Sequence, residues 1–177
     1  RPAGIDLQAS FTVFVRRTQH LIDWARGSSA GVEEPWETRN VKEATFRGLE
    51  ADLTTAGPMG TTLAFGGTLL SMRSEESEGF RSKYALRPLL ERFTGKIHRS
   101  LGRGFTMALQ GQRSRRAGEA PYHRIDLRTN VRLGVTSLYV DAVNLTNQSH
   151  LDVTGSPAPG RAFFLGLKVG FGERGIR

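Results

Sequence analysis

Apolar and polar residues alternate with period two along most of the chain. The clearest stretch is 125–133, where Ile125, Leu127, Thr129, Val131 and Leu133 interleave with Asp126, Arg128, Asn130 and Arg132. The last stretch repeats the pattern, with Phe163, Leu165, Leu167, Val169 and Phe171 alternating with Phe164, Gly166, Lys168 and Gly170. Successive side chains of an extended chain point to opposite faces, so each stretch predicts a strand with one apolar face and one polar or small face. Less regular versions occur around Phe11–Val15 (with a continuation toward Trp24), Leu49–Leu53, Leu63–Leu69, Phe105–Leu109 and Leu138–Ala142, and the pattern is poor around Phe93 and Ile97. The reading is about eight strands and no helix.

The connections carry a second signal. Short ones are expected at Ala56–Gly60, Leu101–Gly104 and Leu133–Thr136, and longer polar ones at 26–36, 73–83, 115–121 and 146–160. Short and long alternate along the chain, as periplasmic turns and extracellular loops do in outer-membrane β-barrels. Strands starting near Phe11, Thr61, Phe105 and Val135 are then expected to run outward, and those near Pro35, Tyr84, Pro121 and Gly160 inward. Trp24, Trp36, Tyr84 and Tyr122 fall at the long-loop ends, where amphipathic rings favour a membrane interface.

Composition narrows the choice. With 177 residues and no Cys, disulfides, thiolate metal sites and Cys nucleophiles are excluded together. No run of 18 apolar residues exists, which excludes a transmembrane helix but not a membrane barrel. The net charge of +8 lies entirely in the second half: residues 1–90 hold 11 basic and 11 acidic side chains, residues 91–177 hold 14 and 6. Such a balance suggests nucleic acid first, but the Arg and Lys residues alternate with acids instead of gathering among aromatics on one face. The chain opens at Arg1 with neither Met nor a signal-like segment, which is expected of a processed product or a fragment.

Asn144, Leu145 and Asn147 within NLTNQ (144–148), Pro159, Gly160 and Arg161, and a final strand ending at Phe171 together resemble the C-terminus of TonB-dependent outer-membrane receptors. FVRRTQHLIDW (14–24) and NVKEATFRGLEADL (40–53), with Gly48 and Glu50, resemble two further landmarks of that family. The resemblance covers nearly the whole chain, in order. It departs at the end, where GERGIR (172–177) continues past the expected terminal aromatic residue.

The resemblance implies an all-β fold: an antiparallel transmembrane barrel segment supplying about eight strands of a barrel of about 22. Residues 1–171 form the C-terminal portion of that barrel and 172–177 a short tail; the plug and the TonB box are absent. The implied parent sits in the outer membrane of a Gram-negative bacterium and takes up a large, scarce nutrient, a ferric siderophore or a corrinoid such as vitamin B12. Its partners are outer-membrane lipid and lipopolysaccharide, the missing N-terminal strands and plug, the TonB complex acting through that plug, and the outer-membrane assembly machinery. Nucleic acid is not expected as a partner. Two alternatives stand beside this reading: a self-contained eight-stranded outer-membrane barrel, and a soluble basic β-protein that binds nucleic acid.

No catalytic constellation, cofactor site or metal site is expected. His20, His98, His123 and His150 lack metal-ligand spacing, and Ser71, Ser74 and Ser77 lack a GxSxG context. The glycines of 60–67 and 102–104 fit tight turns and close strand packing better than a phosphate loop. Asn144 and Asn147 are expected to fix a strand-end turn through side-chain hydrogen bonds. Arg113, Arg115 and Arg116 form a basic cluster at an outer strand end, suited to lipopolysaccharide phosphates or another anion. Arg128, Arg132 and Lys168 are expected in the lumen, guiding an anionic chelate or pairing with Asp126, Asp141 and Glu50. Trp24, Trp36, Arg116 and Tyr122 are the candidate ligand-facing residues of the outer loops.

Overall fold

A computed structural model describes residues 6–27, 29, 35–74, 79–83, 87–151 and 156–171. Nine strands form one antiparallel sheet: β1 (Asp6–Gly27), β2 (Glu37–Gly57), β3 (Thr61–Ser74), β4 (Phe80–Ser82), β5 (Leu89–Gly102), β6 (Phe105–Arg116), β7 (Tyr122–Leu133), β8 (Thr136–Val143) and β9 (Ala162–Val169). A 3-10 turn over Pro58–Gly60 is the only helical element among the described residues. The order across the sheet is β4-β1-β2-β3-β5-β6-β7-β8-β9, a meander of eight strands that β4 alone leaves. β4 departs from the chain between β3 and β5 and pairs with the far edge of β1, from Ala25 to Gly27. The sheet does not close on itself.

Pairing sorts the alternating residues onto two faces without exception along whole rows. One row runs Leu7, Thr55, Leu63, Ile97, Leu109, Leu127, Ala142, Phe163 through all eight long strands. The neighbouring row, on the other face, runs Asp6, Ala56, Thr62, His98, Ala108, Arg128, Asp141, Phe164. A slip of one residue in any strand would exchange its faces, so the registers agree with one another. The apolar face is largely uncovered, with Phe11 66%, Phe65 52%, Phe163 67% and Leu165 79% exposed. Its counterpart carries most of the charged residues.

The rows are staggered against the turns. The row through Thr61 beside the β2–β3 turn passes Arg99 and Met107 and reaches Thr129, four residues short of Leu133 at the β7–β8 turn. Four strand spacings separate those turns, so the stagger is one residue per strand. With a rise of about 3.4 Å and a spacing of about 4.8 Å, strands whose turns lie level tilt by about 35°. The apolar stretch is eight residue steps long, from Leu7 to Val15 on β1 and from Ile125 to Leu133 on β7. On each long strand the next position of that face is polar: Arg17, Arg47, Ser71, Glu91, Arg113, His123, Asn144 and Arg161.

Aromatic rings lie over glycines of the neighbouring strand. A Cβ on Gly48 would stand 2.2 Å from Phe14 Cζ, and one on Gly166 would stand 2.0 Å from Tyr139 Cζ. On the apolar face, Phe65 lies opposite Gly95 and Phe93 opposite Gly67, each ring 3.4 to 3.6 Å from the position a Cβ would take.

Three expectations need correction. The first strand starts at Asp6 and ends at Gly27, well beyond Trp24, and β4 adds a ninth strand. The connection between β6 and β7 is short, residues 117–121, closed by Glu119 N–H donating to Arg116 O. Trp24 near the end of β1, Trp36 just before β2 and Tyr122 at the start of β7 do fall at the expected strand ends, with Trp24, seven residues past Arg17, standing higher than Tyr122 beside His123. Tyr84 and residues 172–177 lie outside the described residues.

Candidate functional site

The residues that carry the family resemblance converge at the end of β8. Asn144 is 3% exposed and sits at φ 52°, a left-handed conformation that Asn tolerates. Its Nδ2 donates to Gln148 O at 3.1 Å and to Pro159 O at 3.2 Å, and its Oδ1 accepts from Gln148 N–H at 3.3 Å. Its own N–H donates to Asp126 Oδ1 at 2.8 Å. Leu145 N–H donates to Ile125 O at 2.8 Å, and Thr146 Oγ1 to His123 O at 2.8 Å. Asn147, also at positive φ, accepts Arg161 N–H on its Oδ1 at 3.0 Å. Gly160 lies against the same oxygen, 3.1 Å from where a Cβ would stand.

One knot therefore ties β7, the end of β8 and the approach to β9, using side chains to satisfy backbone groups where the ladder stops. The expected side-chain bonding of Asn144 and Asn147 is present. Phe171 lies beyond β9, 94% exposed and in step with the apolar residues Phe163 to Val169. Far from this knot, Gly48 seats Phe14 on β2, and Glu50 pairs with Thr12 and Thr68 across the neighbouring strands.

On the polar face, Arg128 makes a two-pronged contact with Asp141, Nε to Oδ1 and Nη2 to Oδ2, both at 2.5 Å. The Tyr139 ring lies 5.6 Å from the same guanidinium. Arg124 Nε donates to Asp126 Oδ1 at 2.9 Å. With Lys96 and Gln110 these side chains line a shallow groove of about 300 Å³. The expected pairing of Arg128 with Asp141 is thus present, whereas Asp126 takes Arg124, a residue that the sequence pattern had not singled out. Arg124 and Asp126 stand two residues apart on β7 and so share its polar face, a relation the alternation alone contains.

The four ligand-facing candidates do not form one cluster within this sheet. Trp36 lies between cations, with Arg26 Cζ 4.6 Å and Lys83 Nζ 5.7 Å from its ring. Trp24, half exposed, accepts Lys83 N–H on its carbonyl at 2.8 Å. Arg116 Nη1 donates to Arg87 O at 2.8 Å, which ties it into the β5–β6 end. Tyr122 stacks on His150 with centroids 3.9 Å apart and planes 9° from parallel. This pair lines a cleft of about 460 Å³ with Pro121, Gln148 and Leu151. Along the sheet, β3 and β5 separate the tryptophan group at the β1–β2 end from Arg116 on β6.

Among the described residues, no three His, Asp or Glu side chains come together in a way that would hold a metal ion. Compared with models of known protein families and with curated proteins, the chain matches none of them.

Proposed function

We propose that this chain is the C-terminal wall of a larger outer-membrane β-barrel, of the TonB-dependent receptor type, in which it supplies barrel surface and the closing strand. The observation that carries this reading is the uncovered apolar face, continuous across eight strands and bounded on each strand by a polar residue. At a tilt of about 35°, eight residue steps give a band about 22 Å tall, close to the roughly 25 Å apolar band of such barrels. In water, that much exposed apolar surface marks a membrane or partner interface.

The two edges support the fragment reading. β1 is paired on its far side only from Ala25 to Gly27, and nothing described pairs with the far edge of β9. Unpaired backbone groups are not tolerated in lipid, so both edges require further strands. Self-closure into an eight-stranded barrel would join the 22-residue β1 to the 8-residue β9. Transport of a siderophore or corrinoid belongs to the parent receptor in this reading, and no enzymatic role is assigned to the chain.

The test is an immunoblot of outer membranes from the source cells with antibody against peptide 26–36, comparing unheated and boiled samples. A heat-modifiable band several times larger than 19.5 kDa supports the receptor wall. A heat-modifiable band near 19.5 kDa overturns it in favour of a small barrel.

A further inference from the structure

The three methionines of the chain stand in different surroundings. Met72 and Met107 lie within β3 and β6 and are half-buried, whereas Met59 sits in the β2–β3 turn and is 71% exposed. Met59 holds a left-handed backbone, φ 56° and ψ 35°, which residues other than glycine adopt rarely. Pro58 precedes it, Gly60 follows, and Thr61 N–H closes the turn onto Pro58 O. Gly60 brings the turn close against β5, since a Cβ there would stand 3.2 Å from Ser100 Cβ. The turn is thereby held beside Arg99, whose Nη2 donates to Met59 Sδ at 3.7 Å.

The guanidinium of Arg99 has a donor to spare. Its Nε is buried and makes no hydrogen bond with the described residues. In a guanidinium, Nε–H and one Nη2–H project side by side from one edge, the edge with which Arg128 grips Asp141. On Arg99 the partner at that edge is a thioether, a weak acceptor. A buried donor left without an acceptor is costly, and an oxygen carried by the sulfur is the acceptor this place lacks. The contact engages one sulfur lone pair and leaves the other open to an oxidant.

We infer that Met59 is a reversible oxidation site and that Arg99 receives its sulfoxide. The oxidant is hydrogen peroxide. The free sulfur lone pair attacks one peroxide oxygen, the O–O bond breaks, and the thioether gives up two electrons. The departing hydroxide takes the proton of the oxygen now bound to sulfur and leaves as water. The new S–O bond is polarised toward oxygen, and a rotation about Cγ–Sδ brings that oxygen onto the Nε/Nη2 edge of Arg99. Thiol-dependent sulfoxide reductases reverse the change: two thiols become a disulfide, and the oxygen leaves as water. Oxidation therefore tightens the β2–β3 turn onto β5, and reduction releases it. Only the turn and β5 take part, so the step stands apart from the membrane-wall reading.

The test treats the full-length protein containing this chain with limiting hydrogen peroxide and maps sulfoxide on its proteolytic peptides by mass spectrometry. Met59 is expected to oxidise several-fold faster than Met72 and Met107, because susceptibility follows exposure. At a dose that leaves those two intact, hydrogen–deuterium exchange is measured at the Gly60 and Thr61 amides. A hydrogen bond from a charged donor is expected to slow their exchange about ten-fold on oxidation, and treatment with both sulfoxide reductases to restore the original rate. In Arg99→Leu the same oxidation is expected to leave exchange unchanged, and in Met59→Leu peroxide is expected to alter nothing. Oxidation of Met72 or Met107 as fast as Met59 overturns the proposal. So does exchange that is not slowed in the wild type, or that is slowed equally in Arg99→Leu. Should Arg99→Leu fail to fold, Arg99→Lys, which keeps the charge but has no paired N–H edge, serves as the same comparison.

Discussion

Asn144 Nδ2 donates to Pro159 O at 3.2 Å, fastening the end of β8 to the segment that leads into β9, fifteen residues away. The same carboxamide also serves the backbone of Gln148, so one buried side chain replaces the ladder where the two strands part. Asn144→Ala leaves these groups without a partner and places a residue with a Cβ but no polar group at positive φ. The expected loss is about 2–4 kcal/mol, read as a lowered urea midpoint with unchanged slope. A midpoint within error of the wild type would remove the knot from the account of β9 docking.

Gly48 leaves room for Phe14, since a Cβ there would stand 2.2 Å from the ring. Gly48→Ala is expected to cost about 1–3 kcal/mol by forcing the ring off its site. Phe14→Ala in the same chain removes the collision, so the double variant should be more stable than the sum of the two single losses predicts. Strict additivity would mean that the ring moves aside freely.

The two faces differ in their tolerance of charge. Leu109 lies mid-way up the apolar face, and Ala108 is its neighbour on the polar face. In a bilayer, Leu109→Arg is expected to cost about 2–4 kcal/mol, and Ala108→Arg less than about 1 kcal/mol. Folded protein in the membrane fraction at increasing urea measures both. Equal sensitivity would show that the apolar face does not meet lipid.

The two open edges predict the behaviour of the isolated chain. Expressed alone and refolded in detergent, residues 1–177 should retain β-sheet circular dichroism yet elute as mixed oligomers, because β1 and β9 offer pairing sites to other copies. A single monomeric species would require the edges to pair with each other.

Much of this architecture is legible in the alternation alone. The alternating stretches 125–133 and 163–171 mark β7 and β9 directly, because nearly every second residue in them is apolar. β5 is obscured because Gly95 stands where an apolar residue is expected. The ring of Phe65 supplies the missing apolar surface from the next strand, and no single-strand pattern records that. β4 is illegible for a related reason: Phe80–Ser82 is defined by a partner, Ala25–Gly27, more than fifty residues upstream. Of the candidate residues, the NLTNQ and PGR segments were readable as a turn, since Asn favours positive φ and caps backbone groups locally. The level of the arginines was not readable, because it exists only after the strands are set in register. Arg17 and Arg73 are 56 positions apart in sequence and share a row.

The Phe14–Gly48 contact has a consequence for how the longest hairpin finds its alignment. β1 and β2 pair over 19 residue pairs, from Asp6–Ala56 to Ala25–Glu37. A slip of one residue is rejected at once, since it turns apolar side chains to the polar face. A slip of two residues keeps every face correct, and over so long a ribbon it sacrifices only one or two pairs at an end. What forbids it is local shape. Moved by two, Phe14 meets Phe46 or Glu50 in place of the glycine, and its ring has no recess to enter. Gly48 therefore works as a notch and Phe14 as its key, a vernier mark that lets an otherwise sliding pair of strands stop in one place.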